Sequence, residues 1–535
     1  MKSVLIVGSG PSGVHFALSV LRKGYEVTMV DVGYPKPAAI EPAMSFRALK
    51  DHLDDPADYF LGARFQGVVL PHPGREYYGL PPSKDYVLRV PAGAEHAAHG
   101  FSPFFGYARG GVAEVWTGGC YPFNDAELAE FPFGYGELGP CYGEVARRIG
   151  ICGGEDDLAR FFPLHENLLE PLELDSHSAL LLARYEEKKS AFHEELRCYL
   201  GRTRVAVLSR EQGGRNKCTY LGRCLWGCPT AAFYTPSLTL AECLAFPNFH
   251  YVSGLRASHF RLDSRRRATH LVAFPAEGGA PSEFPVETLV LAAGALSSSR
   301  IYLESLYRHT GEAPELQGLM DNRQILVPFV NLRLIGQTHK PESYQYHQVG
   351  MGIEVGAPRE YVHAQVTTLK TGMLHPIMQS LPCDLRTAAF LVRNLHAALG
   401  IVNVNLHDTR RRGNRLTLDV SQPGATRLVM DYAPAAGEDA VIARALSTVR
   451  RALGKLGCLV PPGMSHVRPM GSSVHYAGTL PMSRSRGEHT VSETCQSHEV
   501  ENLFLVDGAT YPFLPAKNIT FTLMANAVRV AEAAF

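Results

Sequence analysis

The stretch SVLIVGSGPSGVHFALSVLRKGYEVTMVD, residues 3–31, carries the reading of the fold. Residues 3–7 form a short apolar run rich in branched side chains, as in a strand buried on both faces. The run enters Gly8-Ser-Gly10-Pro-Ser-Gly13, a G-x-G-x-x-G turn, and residues 14–22 follow with helical spacing of Val14, Ala17, Leu18 and Leu21. Gly24 ends that helix, and residues 25–30 form a second strand that finishes at Asp31. Each glycine has its own task in such a unit. Gly8 permits the tight turn, Gly10 admits a pyrophosphate to the backbone, and Gly13 lets helix and strand pack closely. The helix N-terminus offers free N–H groups and a positive dipole to phosphates, and Asp31 is placed to accept hydrogen bonds from a ribose diol. The unit therefore predicts a dinucleotide-binding α/β domain.

Composition sets the bounds. A chain of 535 residues is too long for one ordinary core, which favours two domains. Lys+Arg and Asp+Glu both number 52, so the net charge is zero and no nucleic-acid footprint is expected. The runs 265–267 and 410–412 are short arginine triplets that read as solvated turns. No secretory leader precedes the first strand and no apolar run suits a bilayer, so a cytoplasmic protein without membrane partners is expected. The 11 cysteines are odd in number and scattered, which argues against a disulfide framework. Cys218, Cys224 and Cys228 form the one cluster. A metal or iron–sulfur site would normally need a fourth thiolate or a nearby His, so this segment reads as a structural loop and no metal is expected.

Further along, residues 288–295 form an apolar strand breaking at Gly294, and a helix follows over 296–306. Strands are expected at 249–252 and on both sides of the basic turn 264–267. Residues between about 320 and 455 alternate instead, over 324–335, 361–369, 401–406, 416–420 and 428–432. That favours an antiparallel sheet with one covered face, closed by an amphipathic helix at 438–456. The expected organisation is a discontinuous nucleotide domain (1–150, 206–320 and 457–535), with a lid segment at 151–205 and an inserted substrate domain at 321–456.

Near the C-terminus a His, an Asp-Gly and an Asn follow in order: His475, Asp507-Gly508 and Asn518. Oxidising an alcohol removes a proton from oxygen and a hydride from carbon. A neutral His with an ordinary pKa of about 6.5 suits the first task, and an amide such as Asn518 can hold the same oxygen without competing for the proton. Glu114, Tyr476 and Tyr511 are further candidates for the pocket wall. Tyr344, Tyr346 and His347 offer aromatic faces with polar tips suited to a sugar or other polyol.

Taken together, these motifs resemble the glucose–methanol–choline (GMC) oxidoreductase family. The likeness runs through Gly8-x-Gly10-x-x-Gly13, Arg109-Gly110-Gly111 with Trp116-x-Gly118-Gly119, and Leu291-Ala-Ala293-Gly294-Ala295. It continues through His475-x-x-Gly478-Thr479-x-x-Met482, 502–512 and 515–525. The resemblance implies FAD, a two-domain fold, and oxidation at a CH–OH group of a small-molecule alcohol. Asp31 would bind the adenosine ribose, Val252 would touch the adenine through its backbone, and Asp507-Gly508 would meet the pyrophosphate or ribityl chain. Arg109, Gly110, Gly111, Trp116, Ala293, Gly294, Ile519 and Thr520 would complete the cofactor wall, with His475 and Asn518 as the pair facing the flavin ring. Ile519 stands where the family usually has Pro. Some relatives attach FAD covalently through a His in the Gly-Gly…Trp loop; Val115 is the nearest equivalent here, so FAD is expected to be non-covalent. The cysteine-bearing loop is similar to one in some bacterial relatives but lacks one of its thiols. The resemblance favours an aminoglycoside-type or other natural-product polyol, oxidised with oxygen or another acceptor. A lipid or sterol alcohol oxidase and a non-redox flavin-containing lyase are the alternatives.

Overall fold

The computed structural model describes residues 2–37, 44–65, 76, 78–372, 374–379, 381–422 and 425–535. Strand Ser3–Val7 sits at the centre of a five-stranded, all-parallel sheet, with Thr288–Leu291 and Leu503–Leu505 on one side and Glu26–Val30 and Phe249–Val252 on the other. The strands come from the beginning, middle and end of the chain, as a discontinuous nucleotide-binding unit requires. Their continuous apolar character follows from cover on both faces. Helices Pro11–Arg22, Thr520–Ala534 and Tyr135–Ile149 pack on one another beside the sheet. Helix Ala295–Thr310 lies against a three-stranded antiparallel sheet built on Leu255–Leu262 and Ala268–Pro275. The first helix begins at Pro11, where proline's fixed φ and missing N–H cost nothing.

A second, seven-stranded sheet is antiparallel. Its order is Cys458–Leu459, Gln324–Asn331, Leu399–Asn405, Val362–Thr368, Val349–Ile353 and Cys198–Arg202, with His466–Val467 also pairing Gln324–Asn331. Alternation along the strands gives it two unlike faces. Ile325, Val327, Phe329, Ala364, Val366, Val402 and Val404 form one core with Leu181, Tyr185, Phe192, Ile442, Ala445, Val449 and Leu453 from flanking helices. The opposite face carries Gln324, Leu326, Gln365, Thr367, Ile401 and Asn403, and it forms part of the wall of the large cavity described below.

One expectation is corrected here. The alternating runs near 416–420 and 428–432 do not join this sheet. Arg415–Asp419 and Arg427–Asp431 form a separate four-stranded sheet with Leu316–Gln317 and His96–His99, the last pairing being parallel. The reason is the core they serve, because Leu416, Leu418, Leu428 and Met430 bury with the nucleotide-side residues. Alternation fixes that a strand has one buried face, but not which core lies beneath it. No helix among the described residues is long and apolar enough to cross a membrane.

Candidate active site

A cavity of about 560 Å³ runs from the glycine turn to the antiparallel sheet. At its first end the backbone is shaped by contact. Gly8 has φ +100°, and a Cβ there would lie 2.7 Å from the Ala292 carbonyl oxygen. A Cβ on Gly13 would lie 2.1 Å from the Gly8 carbonyl oxygen. Helix Pro11–Arg22 starts with no side-chain cap, leaving its first N–H groups free for an anion. The Ser9 hydroxyl donates to the Asp31 carboxylate and accepts from the Gly110 N–H at 2.9 Å, tying the Arg109-Gly110-Gly111 turn to the glycine turn. Tyr251 also donates to Asp31, at 3.0 Å, and the Arg109 guanidinium lies 5.2 Å from the Tyr251 ring centre. Arg109 Nε is buried without a partner. Burial raises the Asp31 pKa to about 6 despite these donors.

The cavity wall includes Gly8, Gly10, Asp31, Gly111, Trp116, Ala293, Gly294, Asp507, Gly508, Ile519 and Thr520. Gly13, Arg109 and Gly110 stand behind it as supports. Asp507 accepts from the Ser298 hydroxyl, from the Gly294 N–H at 3.0 Å and from the Ala509 N–H at 3.1 Å, clamping two loops, and burial raises its pKa to about 6. Val252 lies outside the cavity wall. Its carbonyl accepts the Asp31 N–H at 3.0 Å within the sheet, and the wall at this depth is made by Leu255, Arg256 and Ala257 instead. The room, the glycine cradle, the free helix end and Asp31 fit an adenine dinucleotide. Val115 in the wall offers no atom for a covalent link.

At the far end stand His475 and Asn518. His475 Nδ1 lies 2.9 Å from Asn322 Oδ1. The Asn322 amide is oriented by its own Nδ2, which donates to the Leu406 carbonyl at 2.8 Å and the Pro515 carbonyl at 2.9 Å. Asn322 therefore presents only an acceptor, the His475 proton sits on Nδ1, and Nε2 carries the lone pair. Asn518 Nδ2 lies 3.5 Å from that Nε2, and Asn518 Oδ1 accepts from Gln365 Nε2. A substrate hydroxyl can enter between the two, giving its proton to His475 and accepting from Asn518. Burial pushes the His475 pKa down to about 4, well below the ordinary value expected from sequence, so the ring is neutral across the physiological range.

Other expected residues take different places. Glu114 is buried outside the wall, where its carboxylate accepts from the Ser237 N–H at 3.1 Å and the Ser237 hydroxyl at 2.7 Å. Tyr476 reaches the wall, but its hydroxyl accepts from the Phe104 N–H at 2.8 Å and donates to the Gly471 carbonyl. Tyr511 packs against Phe123 and Phe131, and Tyr344 and Tyr346 pack around Phe233, so of that aromatic loop only His347 reaches the cavity. Cys218, Cys224 and Cys228 gather beside Cys152 and Phe233. Among the described residues no group of three or more His, Cys, Asp or Glu side chains is arranged to hold a metal ion. Asn322 and Gln365, which orient the pair, carry no motif. The faint signal was a polar residue on the alternate positions of an otherwise apolar strand, as in Gln365.

Residues 409–527 match the family model described as GMC oxidoreductase. The chain is 23% identical to paromamine 6'-oxidase of Streptomyces fradiae over 552 residues, covering 99% of this chain and 90% of that protein. It is likewise 23% identical to 6'''-hydroxyparomomycin C oxidase of Streptomyces lividus, over 567 residues with the same coverage. Among solved structures, pyridoxine 4-oxidase from Mesorbium loti superposes with a TM-score of 0.63 at 16% identity, covering 100% of this chain and 99% of that one. Formate oxidase from Aspergillus oryzae RIB40, in a variant examined for FAD modification, has a TM-score of 0.61 at 11% identity, covering 99% of this chain and 98% of that one. The GMC oxidoreductase model is thus matched over the C-terminal part of the chain, and the fold of these two solved oxidases is shared along its whole length.

Proposed function

We propose that this cavity binds FAD non-covalently and that the enzyme oxidises a CH–OH group of a sugar- or aminoglycoside-type polyol to the carbonyl. The observation that carries the reading is the unprotonated Nε2 of His475, held toward Asn518 by Asn322 in the wall of a dinucleotide-sized cavity. When bound, the flavin accepts the hydride and later passes two electrons to oxygen or another acceptor. The residues of the chain do the rest. His475 Nε2 would take the hydroxyl proton and Asn518 Nδ2 would hold the same oxygen, so the chain's own side chains position and deprotonate the alcohol. The negative charge that reaches the site with the hydride raises the proton affinity of the imidazole, offsetting the burial that lowers it. Both named relatives are oxidases of aminoglycosides, and this supports the polyol class. The test is steady-state turnover on sugar and aminoglycoside alcohols, with the carbonyl product trapped by a hydrazine. The reading requires one such product, and the absence of carbonyl from every alcohol would defeat it.

Two consequences follow for His475. Because the neutral ring is the base, kcat/KM should stay level from about pH 8 to about pH 5 and fall only as pH approaches about 4, where the proton fills Nε2. A pH–rate profile with an acid limb near 6.5 would show instead that burial does not lower the base. The second concerns its support. Asn322→Leu removes the acceptor that selects the tautomer, and kcat should drop about 10- to 100-fold, as for loss of a supporting hydrogen bond to a functional His. Asn322→Asp should move the acid limb upward, because a carboxylate favours the imidazolium. A merely structural Asn322 would leave that limb in place.

A further inference from the structure

The sheet-facing end of the cavity differs in charge from the end that holds the dinucleotide. Among the described residues the only carboxylates in the wall are Asp31 and Asp507, both at the dinucleotide end and both engaged by their own donors. The far end is lined by neutral groups from three adjacent strands. Register pairs Leu326 with Asn403 and Asn403 with Gln365, and Ile401 with Thr367, so these side chains share one face. Among the described residues the cation there is Arg468. It is neutralised by Glu76, with Nε 2.6 Å from Oε1, and it also donates to Gln324 Oε1 at 2.6 Å. Glu76 lies outside the wall.

Among the described residues, Asn403 Oδ1 and His347 Nε2 at this end lack partners. His347 is 2% exposed, and burial lowers its pKa to about 3, so it is a neutral hydrogen-bonding group. A Cβ on Gly119 would sit 3.2 Å from His347 Nε2 and 3.1 Å from Asn518 Oδ1, which puts His347 beside the reacting pair. Buried polar groups left unpaired are costly and are normally satisfied by whatever fills the site. An ammonium group in the same place would lose its hydration and meet no counter-charge.

We propose that this end of the cavity recognises an uncharged, hydroxyl-rich ring, with Asn403 Oδ1 accepting from one hydroxyl and His347 Nε2 bonding a second, and that it rejects a ring bearing an ammonium group there. The inference rests on the polyol reading above and narrows it to a neutral sugar or cyclitol ring, in place of the amine-bearing ring that an aminoglycoside presents. A site built around hydroxyl partners discriminates strongly against analogues that lack them, so Asn403 and His347 are specificity residues.

The test uses the flavin-loaded enzyme with methyl glucoside and methyl glucosaminide, which differ by one hydroxyl replaced by an ammonium. Binding is followed by calorimetry and turnover by kcat/KM. The neutral ring should bind, and where oxidised should react, at least tenfold better. Asn403→Leu should raise its Kd or KM at least tenfold with a smaller change in kcat, and Asn403→Asp should narrow or invert the preference. His347→Leu provides a second site should either Asn403 variant fail to retain flavin, and it should weaken the neutral ring in the same way. Equal or tighter binding of the glucosaminide by the unaltered enzyme would overturn the proposal, as would a preference unmoved in flavin-loaded Asn403 and His347 variants. Neutral-ring selectivity in calorimetry without any oxidation would support the recognition and defeat only the oxidation reading.

Discussion

His475→Ala is expected to lower kcat about 10²- to 10⁴-fold, the range for loss of a positioned general base. The side chain supplies the one unprotonated ring nitrogen opposed to Asn518, and no other group at this end matches it. His347 is neutral and close, but it has no partner that would fix its tautomer. The loss should appear in kcat and kcat/KM together, because proton removal belongs to the transition state rather than to ground-state binding. FAD content should persist, since the dinucleotide end is built from separate strands and turns. The check is single-turnover flavin reduction beside flavin content per chain. A variant that keeps its flavin and its rate would remove His475 from the chemistry.

Lys517→Met is expected to destabilise the fold by about 3–5 kcal/mol, the cost of breaking one buried ion pair. Lys517 Nζ lies 2.7 Å from Glu127 Oε2, 2.7 Å from the Pro122 carbonyl oxygen and 2.9 Å from that of Phe161, and both side chains are 0% exposed. Burial pushes Glu127 up and Lys517 down, each opposed by the charge of the other. Removing the ammonium strands a carboxylate whose second oxygen already has no partner among the described residues. Replacing both, as in Glu127→Leu with Lys517→Met, should recover much of the loss, because two apolar groups leave no charge uncompensated. Denaturant unfolding of the single and double variants measures this. Since Lys517 adjoins Asn518, the surviving folded fraction of Lys517→Met should also turn over more slowly, reporting displacement of the amide. A single variant as stable as the unaltered chain would show that the pair is not ionised in the folded state.

The parts of the architecture legible in the sequence were those whose signal is local. The glycine turn, its helix and Asp31 lie within one contiguous unit, and strand alternation marked Gln324–Asn331, Val362–Thr368 and Leu399–Asn405 as having one covered face. His475 and Asn518 could be paired only through the order of motifs, and the structure brings them within 3.5 Å. What stayed hidden depended on which segments meet. Val252 gives its carbonyl to the neighbouring strand, a fact of sheet register rather than of residue type. Asn322, Gln365 and Asn403 come from separate segments and acquire roles only when those segments lie side by side. The depressed pKa of His475 is equally a product of burial, which no local pattern encodes.

On the proposed mechanism, His475 and Asn518 hold and deprotonate an alcohol that a bound flavin oxidises. This mechanism is tested most directly by mixing flavin-loaded protein, without oxygen, with alcohols ranging from sugars and aminoglycosides to sterols and fatty alcohols. The account predicts that a sugar-type polyol bleaches the visible flavin band rapidly, with one carbonyl formed per flavin reduced. A bound flavin that no alcohol bleaches would contradict it and make a non-redox lyase the leading assignment.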